Sequence, residues 1–203
     1  MRIGASALAA IVGLAIAAFV LAAMPPVARA LLPDDADARG EAFEQALAAA
    51  LTKVRPEGEE WAIAVDPADI NAWLATRLPK WIDHDPALAP LADAVDLRVA
   101  SIRDALVVED AGRALGDAVL SLPVEPRLEG DRLHLSIGTA RIGRLPVPGS
   151  GSAIASLLGD GLAQLAAGPA RIPLADGRAV ELRAIECDPG RIALLFRTRP
   201  APP

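Results

Sequence analysis

The chain has 203 residues, 53% of them hydrophobic, enough for one domain and too apolar for a disordered or fibrous protein. A formal charge of −6, 3% aromatic residues and no Tyr argue against a nucleic-acid partner, which needs a basic face and stacking rings. One cysteine (Cys187) and two histidines (His84 and His134) exclude a disulfide framework, a multi-thiolate metal centre and a three-histidine zinc site.

The chain begins with an apolar run. Ile3 to Met24 are 22 residues without a charge, nine of them Ala. As a helix they span about 33 Å, against a hydrocarbon core of ~30 Å. Pro25 and Pro26 end the run, and Arg2 precedes it, which holds the start in the cytoplasm and sends the rest of the chain across the membrane. Ala28-Arg29-Ala30 also fits a signal-peptidase site. Residues 1–30 therefore read as a signal anchor or signal peptide, and residues 31–203 as an exported domain. The expected location is the cell membrane, single-pass with the domain extracytoplasmic, or the periplasm or exterior if cleavage follows Ala30. The exported part carries 18 basic and 26 acidic side chains, so broad adhesion to anionic headgroups is not expected. Lys53 and Lys80 are the only lysines and Asn71 the only asparagine, a bias that points to GC-rich bacterial coding.

Residues 31–55 read as an Ala-rich amphipathic helix, with Asp35 or Asp37 as cap and Phe43, Leu47, Ala50, Leu51 and Val54 as its apolar stripe. Pro56-Glu57-Gly58 stops it, and Trp61, Ile63 and Val65 alternate as a strand. A second helix follows in residues 66–81. Asp66 is a natural N-cap and Pro67 suits the first helical position, while Pro79 kinks or ends the helix. Its stripe is Ile70, Trp73, Leu74, Leu78 and Trp81. With Trp61, every Trp of the chain lies in this stretch, which marks either dense packing or the mouth of an apolar site.

From Ala94 to Val147 the apolar period is two, with strands around residues 95–99, 118–124 and 133–137 and a hairpin turn at 129–132. A third helix is expected from Ser152 to about Ala167, carrying Ile154, Leu157, Leu158, Leu162 and Leu165 on one face. Two strands, about 178–186 and 191–198, close the chain around Asp188-Pro189-Gly190. Helices and strands are segregated, so the expected class is α+β: a curved antiparallel sheet packed with long amphipathic helices, after an N-terminal transmembrane or signal helix.

Reactive constellations are weak. Asp83-His84-Asp85 reads as a solvated loop, His134 as an exposed sheet residue, and Cys187 as a lone semi-exposed thiol with no His or helix start beside it. Gly149-Ser150-Gly151-Ser152 lacks the Lys of a phosphate loop and reads as a turn with Ser152 as N-cap. Glu59-Glu60 and Glu109-Asp110 read as charges at strand edges or turns. No catalytic residue, metal site or cofactor is assigned, and the expectation is a protein that is not an enzyme.

What remains is apolar surface between helices and sheet, a filled core or an open groove. The groove residues would be Ile70, Trp73, Leu74, Leu78, Trp81, Ile154, Leu157, Leu158 and Leu162. The order of elements, the short helix with Asp69, Asn71, Ala72 and Leu74, and the run Gly143 to Pro148 (G-R-L-P-V-P) resemble the YpmS-like family of anchored bacterial envelope proteins. More loosely, the chain is similar to tubular lipid-binding (TULIP-like) domains, in which a curved sheet wraps a long helix around an acyl-chain groove. The resemblance implies that Asn71 tethers its helix to an adjoining backbone rather than binding a ligand. Against the family pattern, this chain has no Tyr and few aromatics. The expected partners are the membrane through residues 3–24, and a lipid or other amphiphile held in the groove. The alternative is a ligand-free envelope scaffold acting through another envelope protein. No nucleic acid is expected.

Overall fold

A computed structural model describes residues 17–18, 20–22, 30–85, 96–115, 118–130, 132–151, 170–174 and 176–200. The predicted third helix, with Ile154, Leu157, Leu158 and Leu162, and most of the apolar leader lie outside them. Among the described residues no helix is long and apolar enough to cross a membrane.

Helix α1 spans Ala36–Thr52, shorter at both ends than the predicted 31–55. Before it the Leu31 carbonyl is bonded to the Asn71 side chain, and at its start the Arg39 N–H donates to the Asp35 carbonyl at 3.0 Å. At its end Lys53 leaves helical geometry, and arginines from elsewhere take the last carbonyls. Arg55 Nη1 donates to Ala50 O at 2.6 Å, and Arg178 donates to Thr52 O and Lys53 O at 3.3 and 3.2 Å. Cations at a helix C-terminus suit its partial negative charge. The predicted stripe stops short: Val54 is 80% exposed, beyond the helix and against nothing.

Strand β1 (Glu60–Val65) follows, then helix α2 (Pro67–Thr76). Asp66 caps α2 as expected, its side chain accepting from the Ala68 N–H at 2.8 Å, with Pro67 in the first turn. The helix predicted to reach Trp81 divides at Arg77, and α3 (Leu78–His84) begins there. Pro79 has no N–H to give, so it sits in the first turn of a new helix, where none is needed. Among the described residues, the two long helices expected over 31–81 are therefore helices of 17, 10 and 7 residues.

The strands are all antiparallel, which makes the chain an α+β protein, but they form two sheets rather than one. The first has the order β1-β10-β9-β8, with β8 at Arg171–Pro173, β9 at Ala179–Asp188 and β10 at Arg191–Arg199. The second has the order β2-β3-β4-β6-β7, built from Leu97–Ile102, Ala105–Leu115, Ala118–Glu129, Arg141–Ile142 and Leu145–Pro146. Strand β5 (Arg132–Ile137) also pairs with β4. The division has a simple cause: the chain leaves the first sheet after β1 and returns to it only at β8. Strand β9 touches β2, β3 and β4, and the Asp104 N–H in the β2–β3 turn donates to the Cys187 carbonyl at 2.9 Å, so the sheets meet at β9. Asp104 takes a left-handed conformation (φ 62°), which Asp tolerates better than most residues.

Val65, Val180, Ile192 and Phe196 are buried in the first sheet, and Ala100, Val107, Val119 and Val124 in the second. Helices α1 and α2 pack at Gly40, the one fully buried residue of α1. A Cβ there would lie 2.6 Å from Thr76 Oγ1 and 3.0 Å from the Ala72 carbonyl, so only glycine lets the backbones approach this closely. The tryptophans separate. Trp61 stacks on Phe196 with centroids 4.8 Å apart and lies 3.8 Å under the Arg55 guanidinium, whereas Trp73 and Trp81 turn toward α1.

Candidate functional site

An apolar cleft of about 290 Å³ lies between α1 and β1. Phe43 and Leu47, one helical turn apart, line one wall with Ala42 and Ala46, and Ile63 and Val65 line the other. The polar end is formed by Arg39 and Asp69. Arg39 Nε donates to Asp69 Oδ1 at 2.7 Å, and Arg39 Nη2 donates to Asp66 Oδ2 at 3.3 Å. The Asp69 bond raises the Arg39 pKa further, so this end holds one fixed cation between two acids.

A second depression, about 360 Å³, is lined by Glu44, Arg77, Lys80, Trp81 and His84. Glu44 organises it. Its carboxylate accepts from Arg77 Nε and Nη2 at 2.9 and 3.2 Å and from the indole N–H groups of Trp73 and Trp81, each at 3.2 Å. The Arg77 bonds and the two indoles outweigh desolvation and bring its pKa down to about 2. This carboxylate is fully engaged and remains ionised across the neutral range.

Of the predicted groove residues on described elements, only Trp81 lines either depression, and it is 48% exposed. Leu78 is buried at 2% exposure, while Ile70, Trp73 and Leu74 are half-buried on α2. Trp73 gives its polar edge to Glu44. The cleft between helix and strand instead uses the α1 stripe and the β1 alternation. Each was visible separately in the sequence, but their pairing across the fold was not. Arg39 and Glu44 carried no sequence signal beyond being charges on an amphipathic helix.

Asn71 is 1% exposed and does what the resemblance implies. Its Oδ1 accepts from the Val99 N–H at 2.7 Å, and its Nδ2 donates to Val99 O at 2.9 Å and Leu31 O at 3.2 Å. The amide thus pairs with the outer edge of β2 as a strand residue would, and ties α2 to the segment at residue 31.

Three readings need correction. Glu109 is not a charge at a strand edge or turn but lies within β3 at 2% exposure, its Oε2 accepting from the Ala30 N–H at 3.0 Å. Cys187 is not semi-exposed but 6% exposed, and burial, then Asp104 and Asp188, push its thiol pKa up, away from thiolate chemistry. Asp83 and His84 are not in a loop but close helix α3. In the glycine-rich turn the Ser150 Oγ accepts from the Ala140 N–H at 2.9 Å and donates to Val147 O at 2.6 Å. Ser152 lies outside the described residues. His134 is exposed, as expected for its face of β5. Among the described residues no group of three or more His, Cys, Asp or Glu could hold a metal ion.

The fold thus defines an α+β domain of two adjoining antiparallel sheets with a small helix–strand cleft. No family model matches the chain, and no curated protein or solved structure matches it.

Proposed function

We propose that the domain is a non-enzymatic envelope module that binds a single-chain lipid or similar amphiphile in the cleft between α1 and β1. The observation that carries this reading is the lining. Phe43, Leu47, Ile63 and Val65 supply apolar walls, and the charges are confined to one end. Ligand sites have this character, and the volume of about 290 Å³ falls at the small end of their range. Burying a methylene contributes ~0.8 kcal/mol, so half a dozen give roughly 5 kcal/mol before the costs of association. That supports weak, exchangeable capture rather than permanent storage. Asp66 and Asp69 outnumber Arg39 at the polar end, which favours a neutral or cationic headgroup over a carboxylate or phosphate. The YpmS-like and TULIP-like resemblance supports the same reading.

Displacement of a fluorescent single-chain amphiphile from the full chain tests it. Ala46→Trp, at an exposed position of the cleft wall, fills the space and is expected to abolish binding while far-UV circular dichroism stays unchanged. Equal binding by this variant and the parent chain overturns the reading.

A second reading, a ligand-free scaffold, is favoured by one observation. Strand β1 pairs only with β10 among the described residues, and Ala62 and Ala64 are exposed on it, which leaves an edge that a partner's extended segment could join. A clean protein mass after exposure to several lipid extracts would favour it.

A further inference from the structure

The chain at the end of the apolar leader is bonded to the domain at three places on three different elements. The Leu21 carbonyl accepts from the Arg144 N–H at 2.9 Å, in the turn between β6 and β7. The Ala30 N–H donates to buried Glu109 on β3, and the Leu31 carbonyl accepts from Asn71 on α2. A domain hanging from an anchor on a free linker would make no such contacts. Large apolar side chains are also exposed along the same stretch: Val20 at 44%, Leu21 at 38%, Leu31 at 63% and Leu32 at 45%. Exposed apolar surface of this kind marks a membrane or protein contact.

We infer that the domain is seated directly on the bilayer, with the β6–β7 hairpin at the headgroup layer, and that an anionic lipid surface is its partner there. The inference rests on the anchor reading of residues 3–24. Leu21 stands three positions before the end of that run, about 4.5 Å along a helix, so the turn bonded to it lies at interfacial depth. The hairpin has the charge such a surface selects. Arg141 and Arg144 are both exposed there, and residues 139–147 contain no acid, although the exported part as a whole is acidic. Glu129, at the far end of β4, is nine residues from Leu120, which with Ser121 pairs with β6, or about 30 Å along the strand.

The test uses the full chain, in a Cys187→Ala background, reconstituted in phosphatidylglycerol–phosphatidylethanolamine vesicles. An environment-sensitive probe is placed at Arg144→Cys or Glu129→Cys, and lipids spin-labelled at the headgroup act as quenchers. Arg144→Cys is expected to be quenched at least threefold more strongly than Glu129→Cys. If the Arg144 variant does not fold, Pro146→Cys on the adjacent strand reads the same depth. A chain that fails to float with the vesicles overturns the anchor reading itself. A chain that floats with an unquenched hairpin probe overturns this inference alone. Protection of the hairpin only in native membranes, not in vesicles, also overturns it, in favour of a protein partner.

Discussion

Two polar side chains gather several hydrogen bonds in this fold, and they do so in opposite ways. Asn71, at the seam between α2 and β2, is neutral, almost wholly buried and bonded only to backbone. Glu44, on the outer side of the helix layer, is charged, about a quarter exposed and bonded only to side chains, those of Trp73, Arg77 and Trp81. Backbone partners held in a strand have nowhere to go when their counterpart is lost, and water cannot reach them. Side-chain partners near the surface rotate and rehydrate. Similar bond counts therefore correspond to unequal stabilities, and only the charged centre responds to pH.

Substitution at the two centres, and at the helix crossing between them, sharpens that contrast. Asn71→Ala has the largest expected effect. It strands the Val99 N–H and C=O and the Leu31 C=O, and leaving buried polar groups unmade costs about 1–3 kcal/mol each before relaxation. A loss of roughly 3 kcal/mol is expected, measurable by urea denaturation; a loss under about 1 kcal/mol would show that the seam rehydrates. Gly40→Ala comes second. Its methyl meets Thr76 Oγ1 and the Ala72 carbonyl, so a cost of about 1–2 kcal/mol is expected despite alanine's better helix propensity. Adding Thr76→Ala should recover part of that loss in a double-mutant cycle, since the hydroxyl is the nearest obstacle.

The smallest effect belongs to Glu44→Gln, about 1 kcal/mol at neutral pH once solvent screening is allowed for. Its signature is the pH dependence. With the folded pKa lowered from the ordinary 4.5 to about 2, the stabilisation by Glu44 is complete above about pH 4.5 and is lost as pH falls through that interval toward 2. The stability difference between the parent and Glu44→Gln should therefore be flat above pH 5 and vanish near pH 2. The effect of Asn71→Ala should show no such step. A difference for Glu44→Gln that persists at pH 2 would mean that packing, not charge, is lost.

Much of the architecture is legible in the sequence because it is written in local chemistry. Asp66 and Pro67 announce α2, alternation marks β1, β5 and β10, and the register Glu129↔Arg132 and Asp188↔Arg191 places both hairpins where turn residues stand. What was not legible is non-local. The apolar run Leu106-Val107-Val108 hints that this strand is covered, but the adjacent acids Glu109-Asp110 that follow read as an exposed edge or turn and mask the hint. Pro79 signals a break but not whether a helix resumes after it, and that depends on Leu78 being buried at 2% exposure. The α1–β1 cleft lies between two stripes visible in the local period, whose facing is decided by Gly40 drawing α1 onto α2. Period alone cannot show which apolar face meets which.

The Asn71 amide also has a temporal meaning. Its bonds close separations of 40 residues to Leu31 and 28 to Val99, so neither exists until a long stretch of chain is present. Closing such loops carries an entropic cost that grows only slowly with length, which makes both closures late but cooperative with the sheet they complete. In a polypeptide that emerges amino end first, Leu31 waits for residue 71, and Asn71 in turn waits for residue 99. A protease acting between Ala30 and Leu31 meets, after that interval, a site whose flanking N–H and C=O are bonded to Glu109 and Asn71.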